Sequence, residues 1–206
     1  MVKESVIRVF LIVLLFCSCQ STDKDQYKRL QSIEKLVLQV IPKLQDNAAT
    51  IHDVNGRRTG VLIPGGLILT SSLRSDKSGT LLPIDFSHSP QLQGALIGNN
   101  EYMSAVRLVS NMTYDNAKGL AFADTDEFEG MGLFISFSDP NAPRPAIRLV
   151  RDLSKPLEAF EYDQLDDGGA YVNVDGELCG LYSHSQKKVI GPKDFRRMWN
   201  SFWHSN

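Results

Sequence analysis

The chain reverses at short, regular intervals, and this cadence restricts its fold more than any other feature. Ala48-Ala49-Thr50-Ile51-His52-Asp53-Val54 reads as a strand, Asn55-Gly56 as a hairpin turn, and Thr59-Gly60-Val61-Leu62-Ile63 as the return strand. Pro64-Gly65-Gly66 turns again before Leu67-Ile68-Leu69-Thr70. Short apolar runs bounded by turn residues at this spacing predict an all-β barrel or sandwich. Residues 95–98, 104–109 and 146–150 read as further strands, and one more is expected near 81–86 within the polar stretch 74–92. Towards the C-terminus, Asp166-Asp167-Gly168-Gly169 forms a tight turn whose glycines supply backbone freedom that a Cβ would forbid. Tyr171-Val172-Asn173-Val174 follows as a strand, Asp175-Gly176 as a two-residue hairpin, and residues 177–184 as the partner strand.

Two helices flank this β-region. Leu30, Ile33, Val37, Val40, Ile41 and Leu44 recur mostly at three- and four-residue steps and form one apolar stripe. Pro42 predicts a break or an end near Val40. The stripe is read as packing onto the domain, with binding to a partner helix as the alternative. Residues 192–203 predict a terminal helix with Pro192 in its first turn, Phe195, Met198, Trp199 and Phe202 on its apolar face, and Arg196 and Arg197 on its polar side. The 206 residues amount to roughly one domain once a targeting segment is removed. A net charge of −2 gives no support for nucleic-acid binding, which needs a basic face.

The N-terminus carries an address. Lys3 and Arg8 precede Val9-Phe10-Leu11-Ile12-Val13-Leu14-Leu15-Phe16, a basic region followed by an apolar run too short to span a bilayer comfortably. The sequence Cys17-Ser18-Cys19 that ends it resembles a bacterial lipoprotein box. That resemblance implies a signal peptide over 1–18, lipid (palmitate) on Cys19 and a short tether over 19–29, leaving 30–206 as the domain. An ordinary cleaved signal or an uncleaved anchor is the alternative. Gln20, not aspartate, follows Cys19, so the resemblance favours the outer membrane of a bacterial envelope. Cys179 would then be the sole thiol, read as a small buried hydrophobe. A catalytic role would require a base beside it, and His184 is the imidazole closest in sequence.

Several stretches resemble the protease domain of trypsin-like serine proteases, the HtrA type in particular. Gly60-Val61-Leu62-Ile63 and Gly66-Leu67-Ile68-Leu69-Thr70-Ser71-Ser72-Leu73 follow the family's opening strands, with Leu73 in the place of the catalytic histidine. Residues 104–109 follow the strand after the catalytic aspartate, whose place falls at Met103 or Ser104. Residues 121–137 resemble the family's Ala-Asp-Ser-Asp stretch. Gly168-Gly169, Val172-Asn173, Gly176-Glu177 and Gly180 match the nucleophile segment, but Asp167 stands where the serine belongs and Leu165 where the first glycine belongs. Leu165, Asp166, Gly168 and Gly169 are thus a remnant of the oxyanion loop. The likeness runs from about Gln39 to the C-terminus and implies a double β-barrel with N- and C-terminal helices. With the sequence stopping after its terminal helix, no regulatory PDZ domain is expected.

Serine proteolysis needs a hydroxyl nucleophile, an imidazole base, an orienting carboxylate and oxyanion donors. At Asp167, Leu73 and Met103 none of the three side-chain roles is filled. A carboxylate is a weak acyl nucleophile, and its charge would repel the nascent oxyanion. The expected function is therefore that of an inactive protease domain, anchored through Cys19, that binds a peptide or protein or serves as a scaffold in the envelope. A working serine endopeptidase with a displaced triad, drawing on His52, His88, His184 or His204, is the alternative. A purely structural protein, its cleft filled by side chains such as Leu73 and Met103, is a third. No cofactor is expected, and no metal, because Asp124, Asp126 and Glu127 lack the spacing of a calcium loop.

Overall fold

The computed structural model describes residues 24–54, 56–73, 78–87, 91–109, 119–125, 128–137 and 145–203. The segment read as a lipoprotein signal, with Cys19, the imidazoles His88 and His204, and the acidic pair Asp126 and Glu127 lie outside the described residues. No helix among the described residues is long and apolar enough to cross a membrane.

A helical arm comes first: α1 (Lys24–Lys35), a π-turn (Leu36–Val40) and α2 (Ile41–Asn47). It starts inside the stretch read as a tether and continues through Pro42, where the sequence predicts a break. The reason is local. The Ile41 N–H donates to the Leu36 carbonyl, five residues back, which widens the coil ahead of the proline. Pro42 then falls in the first turn of α2, where a missing N–H costs little. Leu36, Val40 and Leu44 are buried against both β-units, so the stripe packs within the chain. Lys43 donates to the Gly176 carbonyl at 2.9 Å and Lys35 pairs with Asp175 at 2.5 Å, tying the arm to the loop that holds Asp175 and Gly176.

The first β-unit comprises β1 (Ala48–Asp53), β2 (Gly56–Ile63), β3 (Leu67–Ser71), β4 (Leu81–Phe86), β5 (Leu92–Asn99) and β6 (Met103–Leu108). They pair in the order β1-β2-β3-β6-β5-β4, and antiparallel pairing of β1 with β4 closes the barrel. Its first hairpin is offset by one from the Asn-Gly signal. Asp53 pairs with Gly56, which begins β2 at a φ of +126° that a β-carbon would resist. The interior is aliphatic, with Ile51, Leu62, Ile68, Leu73, Ile84 and Val106 fully buried.

The second unit holds β7 (Gly132–Ser136), β8 (Ala146–Val150), β9 (Ala170–Asn173), β10 (Leu178–Ser183) and β11 (Lys188–Ile190), in the order β11-β10-β9-β7-β8. The β9–β10 connection is a four-residue loop and not the predicted two-residue hairpin. The Asn173 side-chain carbonyl accepts from the Asp175 and Glu177 amides, each at 3.0 Å, and this Asx arrangement stretches the turn. β10 ends at Ser183, so His184 opens a turn instead of extending the strand. α3 (Pro192–Trp203) closes the chain, with Phe195 buried against Phe122. The architecture is the predicted double β-unit with terminal helices, and an apolar core containing Val61, Ile63, Leu69, Leu133, Val172 and Leu181 joins the two units.

Candidate functional site

Where the two units meet, Asp167 is held from both sides. Its Oδ2 accepts from Arg58 Nη1 at 2.5 Å, and its Oδ1 accepts from the His184 backbone N–H at 2.9 Å. Arg58 reaches it from β2 and donates also to Ser71 Oγ at 3.1 Å and to Asp53 Oδ2 at 3.2 Å. The ion pair is largely withdrawn from water: the Arg58 and Asp167 side chains are 12% and 14% exposed. A charge-assisted contact in that setting is stronger than one on an open surface. Arg58 has no counterpart in the sequence-level reading, since one charged residue in a β-run carries no signal of what faces it across another element.

The turn leading to Asp167 is ordered by its own acidic residues. Asp163 caps a short 3-10 turn (Gln164–Asp166): its Oδ1 accepts from the Leu165 N–H at 2.7 Å, while Asp166 Oδ2 accepts from the Asp163 N–H at 3.2 Å. The Asp167 N–H donates to the Gln164 carbonyl at 3.3 Å. Gly168 has a φ of +82°, and a Cβ there would come within 2.7 Å of the Thr59 carbonyl and Thr70 Oγ1 on the first barrel. Gly169 faces the ring of Phe134, 2.3 Å from where its Cβ would be. The two glycines are thus needed for the turn to press between the units.

Asp166 points the other way, into the second unit. It is 3% exposed and meets Arg148 and the Ser136 hydroxyl, the latter at 2.5 Å. The Arg148 guanidinium lies 4.5 Å from the centre of the Phe160 ring and 4.9 Å from that of Phe134. Tyr162, Tyr171 and Tyr182 continue this aromatic group, with the Tyr171 hydroxyl donating to that of Tyr162 at 2.6 Å. Burial raises the pKa of all three phenols, so they stay neutral well above physiological pH.

The other two positions that the resemblance assigns to a triad separate. Leu73 is buried inside the first barrel, whereas Met103 is buried in the core between the units. They do not jointly fill a cleft, because the strand geometry sends them into different cores. Of the two candidates for the aspartate position, Ser104 is the one that touches residue 73: its Oγ accepts from the Leu73 N–H at 2.7 Å and donates to Asn99 Oδ1 at 2.8 Å. Asn99 Nδ2 donates in turn to the Leu73 carbonyl. An amide and a hydroxyl thus hold the backbone at a position where the side chain is apolar.

The remaining nucleophile and base candidates lie apart from Asp167. Cys179 is buried, with its thiol pushed up to about 12 by desolvation, and its Sγ contacts the Glu177 carbonyl at 3.6 Å. The His184 ring turns to the Tyr182 hydroxyl at 3.4 Å, so His184 offers Asp167 its backbone alone. His52 pairs with Asp85 at 2.6 Å on the first barrel. Asp124 is exposed beside Arg196, and no cluster of three metal-ligating residues occurs among the described residues. A groove of about 560 Å³ opens beside the turn, lined by Gly56, Arg57, Arg58, Phe137, Asp163, Gln164 and Leu165.

No protein-family model matches the chain, and no curated protein matches it in sequence. Solved structures do match in shape. A serine endoprotease from Yersinia pestis superposes with a TM-score of 0.61 at 14% identity, over 80% of this chain and 65% of the protease chain. This chain thus spans slightly less than two thirds of that protein. The Rv3671c protease, in an inactive form, superposes with a TM-score of 0.55 at 12% identity, over 81% of this chain and 94% of the other. The fold is that of the trypsin-like serine proteases.

In a trypsin-like protease the oxyanion donors are the N–H of the nucleophile and that of the residue two before it. The positions read from the sequence for these are Asp167 and Leu165. Both amides are already engaged, to the Gln164 carbonyl and to Asp163 Oδ1. An oxyanion is stabilised only by donors aimed at it, and these are aimed into the turn. This arrangement can hold the two β-units together through charge, and it can present a groove with arginine on one wall.

Proposed function

We propose that this chain is a non-catalytic protein on the trypsin-like fold, anchored by lipid on Cys19, that binds a peptide or protein or acts as a scaffold in the bacterial envelope, with the outer membrane favoured. The observation that carries the reading is the state of Asp167. The residue at the nucleophile position is a carboxylate with both oxygens committed, one to Arg58 and one to the His184 amide. Leu73 lies in the core of the first barrel, and among the described residues the His52 ring is paired with Asp85 and the His184 ring with Tyr182, so neither is placed to move a proton at Asp167. The engaged amides of Leu165 and Asp167 point the same way.

The test is reaction of the purified protein with a fluorophosphonate probe, followed by mass spectrometry of intact protein. No adduct is expected. Asp167→Ser is also expected to stay unlabelled, because a serine there gains neither base nor oxyanion donors. An adduct on any serine of the native chain would overturn the reading in favour of a serine endopeptidase with displaced residues. The anchor is tested separately by metabolic labelling with a palmitate analogue, where Cys19→Ala is expected to abolish incorporation.

A further inference from the structure

Among the described residues the second β-unit leaves a strand edge unpaired. Among the described residues β11 bonds to β10 alone, so the outward backbone groups of Lys188–Ile190 have no strand partner. The 3-10 turn Pro156–Glu158 lies near β11 without bonding to its backbone. Beside this edge is a groove of about 550 Å³. Its apolar lining comes from Phe128, Leu153, Pro156 and Val189, and two carboxylates, Glu129 and Asp194, line it as well. Neither carboxylate makes a hydrogen bond or ion pair with a described residue, and no lysine or arginine is among the described residues that line the groove. Lys155, next to it in sequence, is turned to Glu158 at 3.5 Å.

We propose that this groove docks an extended segment of a partner protein through a lysine or arginine side chain. The inference rests on the binding reading above and places the partner at the open edge of the second unit, away from Asp167. The chemistry follows from the lining. A basic side chain has a methylene stem, which suits Leu153, Pro156 and Val189, and a cationic head, which suits Glu129 and Asp194. The Phe128 ring adds a face that a cation favours. The segment's backbone would run along Val189 and Gly191, where a free strand edge offers main-chain hydrogen bonds. An acidic or wholly apolar segment would leave the two carboxylates either repelled or desolvated without a partner.

The test is an NMR titration of the isotope-labelled chain with acetyl-Thr-Lys-Val-Lys-Thr-amide and with its counterpart carrying glutamate in place of lysine. The basic peptide is expected to shift the amides of Ser154, Val189, Gly191 and Asp194, and to bind at least about tenfold more tightly than the acidic one, with affinity falling as salt rises. Glu129→Lys is expected to weaken binding by about tenfold or more. That variant leaves α3 untouched, whereas Asp194→Lys places a cation in the first turn of the helix. Equal binding of the two peptides, or no shift with either, would overturn the proposal. Shifts centred on Arg58 and Leu165 would overturn it while leaving the binding reading in place. Concentration-dependent shifts at Val189 without peptide would also overturn it, by naming a second copy of the chain as the occupant. Fluorophosphonate labelling, by contrast, strikes the non-catalytic reading and leaves the groove result to stand on its own.

Discussion

The two β-units solve the same closure problem differently. In the first, β1 pairs with β4, every strand has two neighbours, and the interior is aliphatic apart from Phe86. In the second, the five strands among the described residues leave β8 and β11 as edges, and the interior holds aromatic rings around a buried ion pair, Arg148 with Asp166. Backbone hydrogen bonds close the first unit. Side chains substitute for them in the second, with Leu153, Phe160 and Tyr162 contributed by the connection between β8 and β9. A closed barrel has no edge to offer a partner, whereas an open sheet has two. The second unit is therefore the more specialised half: it contributes Asp167 to the inter-unit clasp and carries the acidic groove.

The largest expected effect falls on the buried charge. Asp166→Ala leaves the Arg148 guanidinium without its carboxylate among aromatic rings, and should cost roughly 3–5 kcal/mol in denaturant unfolding. Arg148 Nε already lacks a partner, so the site has no spare acceptor to compensate. Leu73→Ala in the first barrel removes a fully buried aliphatic chain and should cost about 2–4 kcal/mol, depending on how far the closed barrel can collapse. If Asp166→Ala proves as mild as a surface change, the account of the second unit as held by its ion pair fails.

Alkaline pH should separate the units further. The Cys179 thiol is raised from an ordinary 9.0 to about 12 by desolvation. A raised folded value means that the unfolded chain loses its proton first. Stability from this group is complete below about pH 9, declines between about 9 and 12, and is fully lost above. The buried phenols of Tyr162, Tyr171 and Tyr182 act in the same direction. Thermal melts should therefore fall above pH 9, less steeply in Cys179→Ala, with tryptic peptides from the second unit released first. At neutral pH, iodoacetamide should modify Cys179 only after unfolding.

The smallest change is expected where the helical arm meets the second unit. Lys35 and Asp175 are 41% and 59% exposed, and their pairing should contribute no more than about 1 kcal/mol. Lys35→Ala should be nearly silent in denaturant unfolding. A larger loss would mean that the arm, and not the aromatic cluster, is the principal brace of the open sheet.

Much of the fold was legible because it depends on local patterns. Gly65 and Gly66 adopt φ of +89° and +75° in the turn their sequence announces, and the strands on either side carry the expected β-branched and aliphatic residues. Pro42 misled for a local reason as well, since the π-turn ahead of it has no sequence signal of its own. The site was legible only as an absence. The residues at 73, 103 and 167 could be read as unsuited to catalysis, but nothing in them pointed to Arg58 or the His184 amide as the partners of Asp167.

The sequence by itself determined the alternation of strands and turns, the terminal helices and the placing of Asp167, Leu73 and Met103, none of them a serine, an imidazole or a carboxylate in the matching role, at the three positions read from the resemblance. These are properties of neighbours along the chain, and short-range sterics and side-chain chemistry are enough to state them. Only the tertiary structure decided that Leu73 and Met103 enter different cores, that Asp166 and Asp167 face opposite ways to separate arginines, and that, among the described residues, the second unit keeps a free edge beside two carboxylates without a partner. Each of these depends on contacts between residues far apart in sequence. Their geometry is set by how two twisted β-units pack against one another, and that is not written in any local stretch.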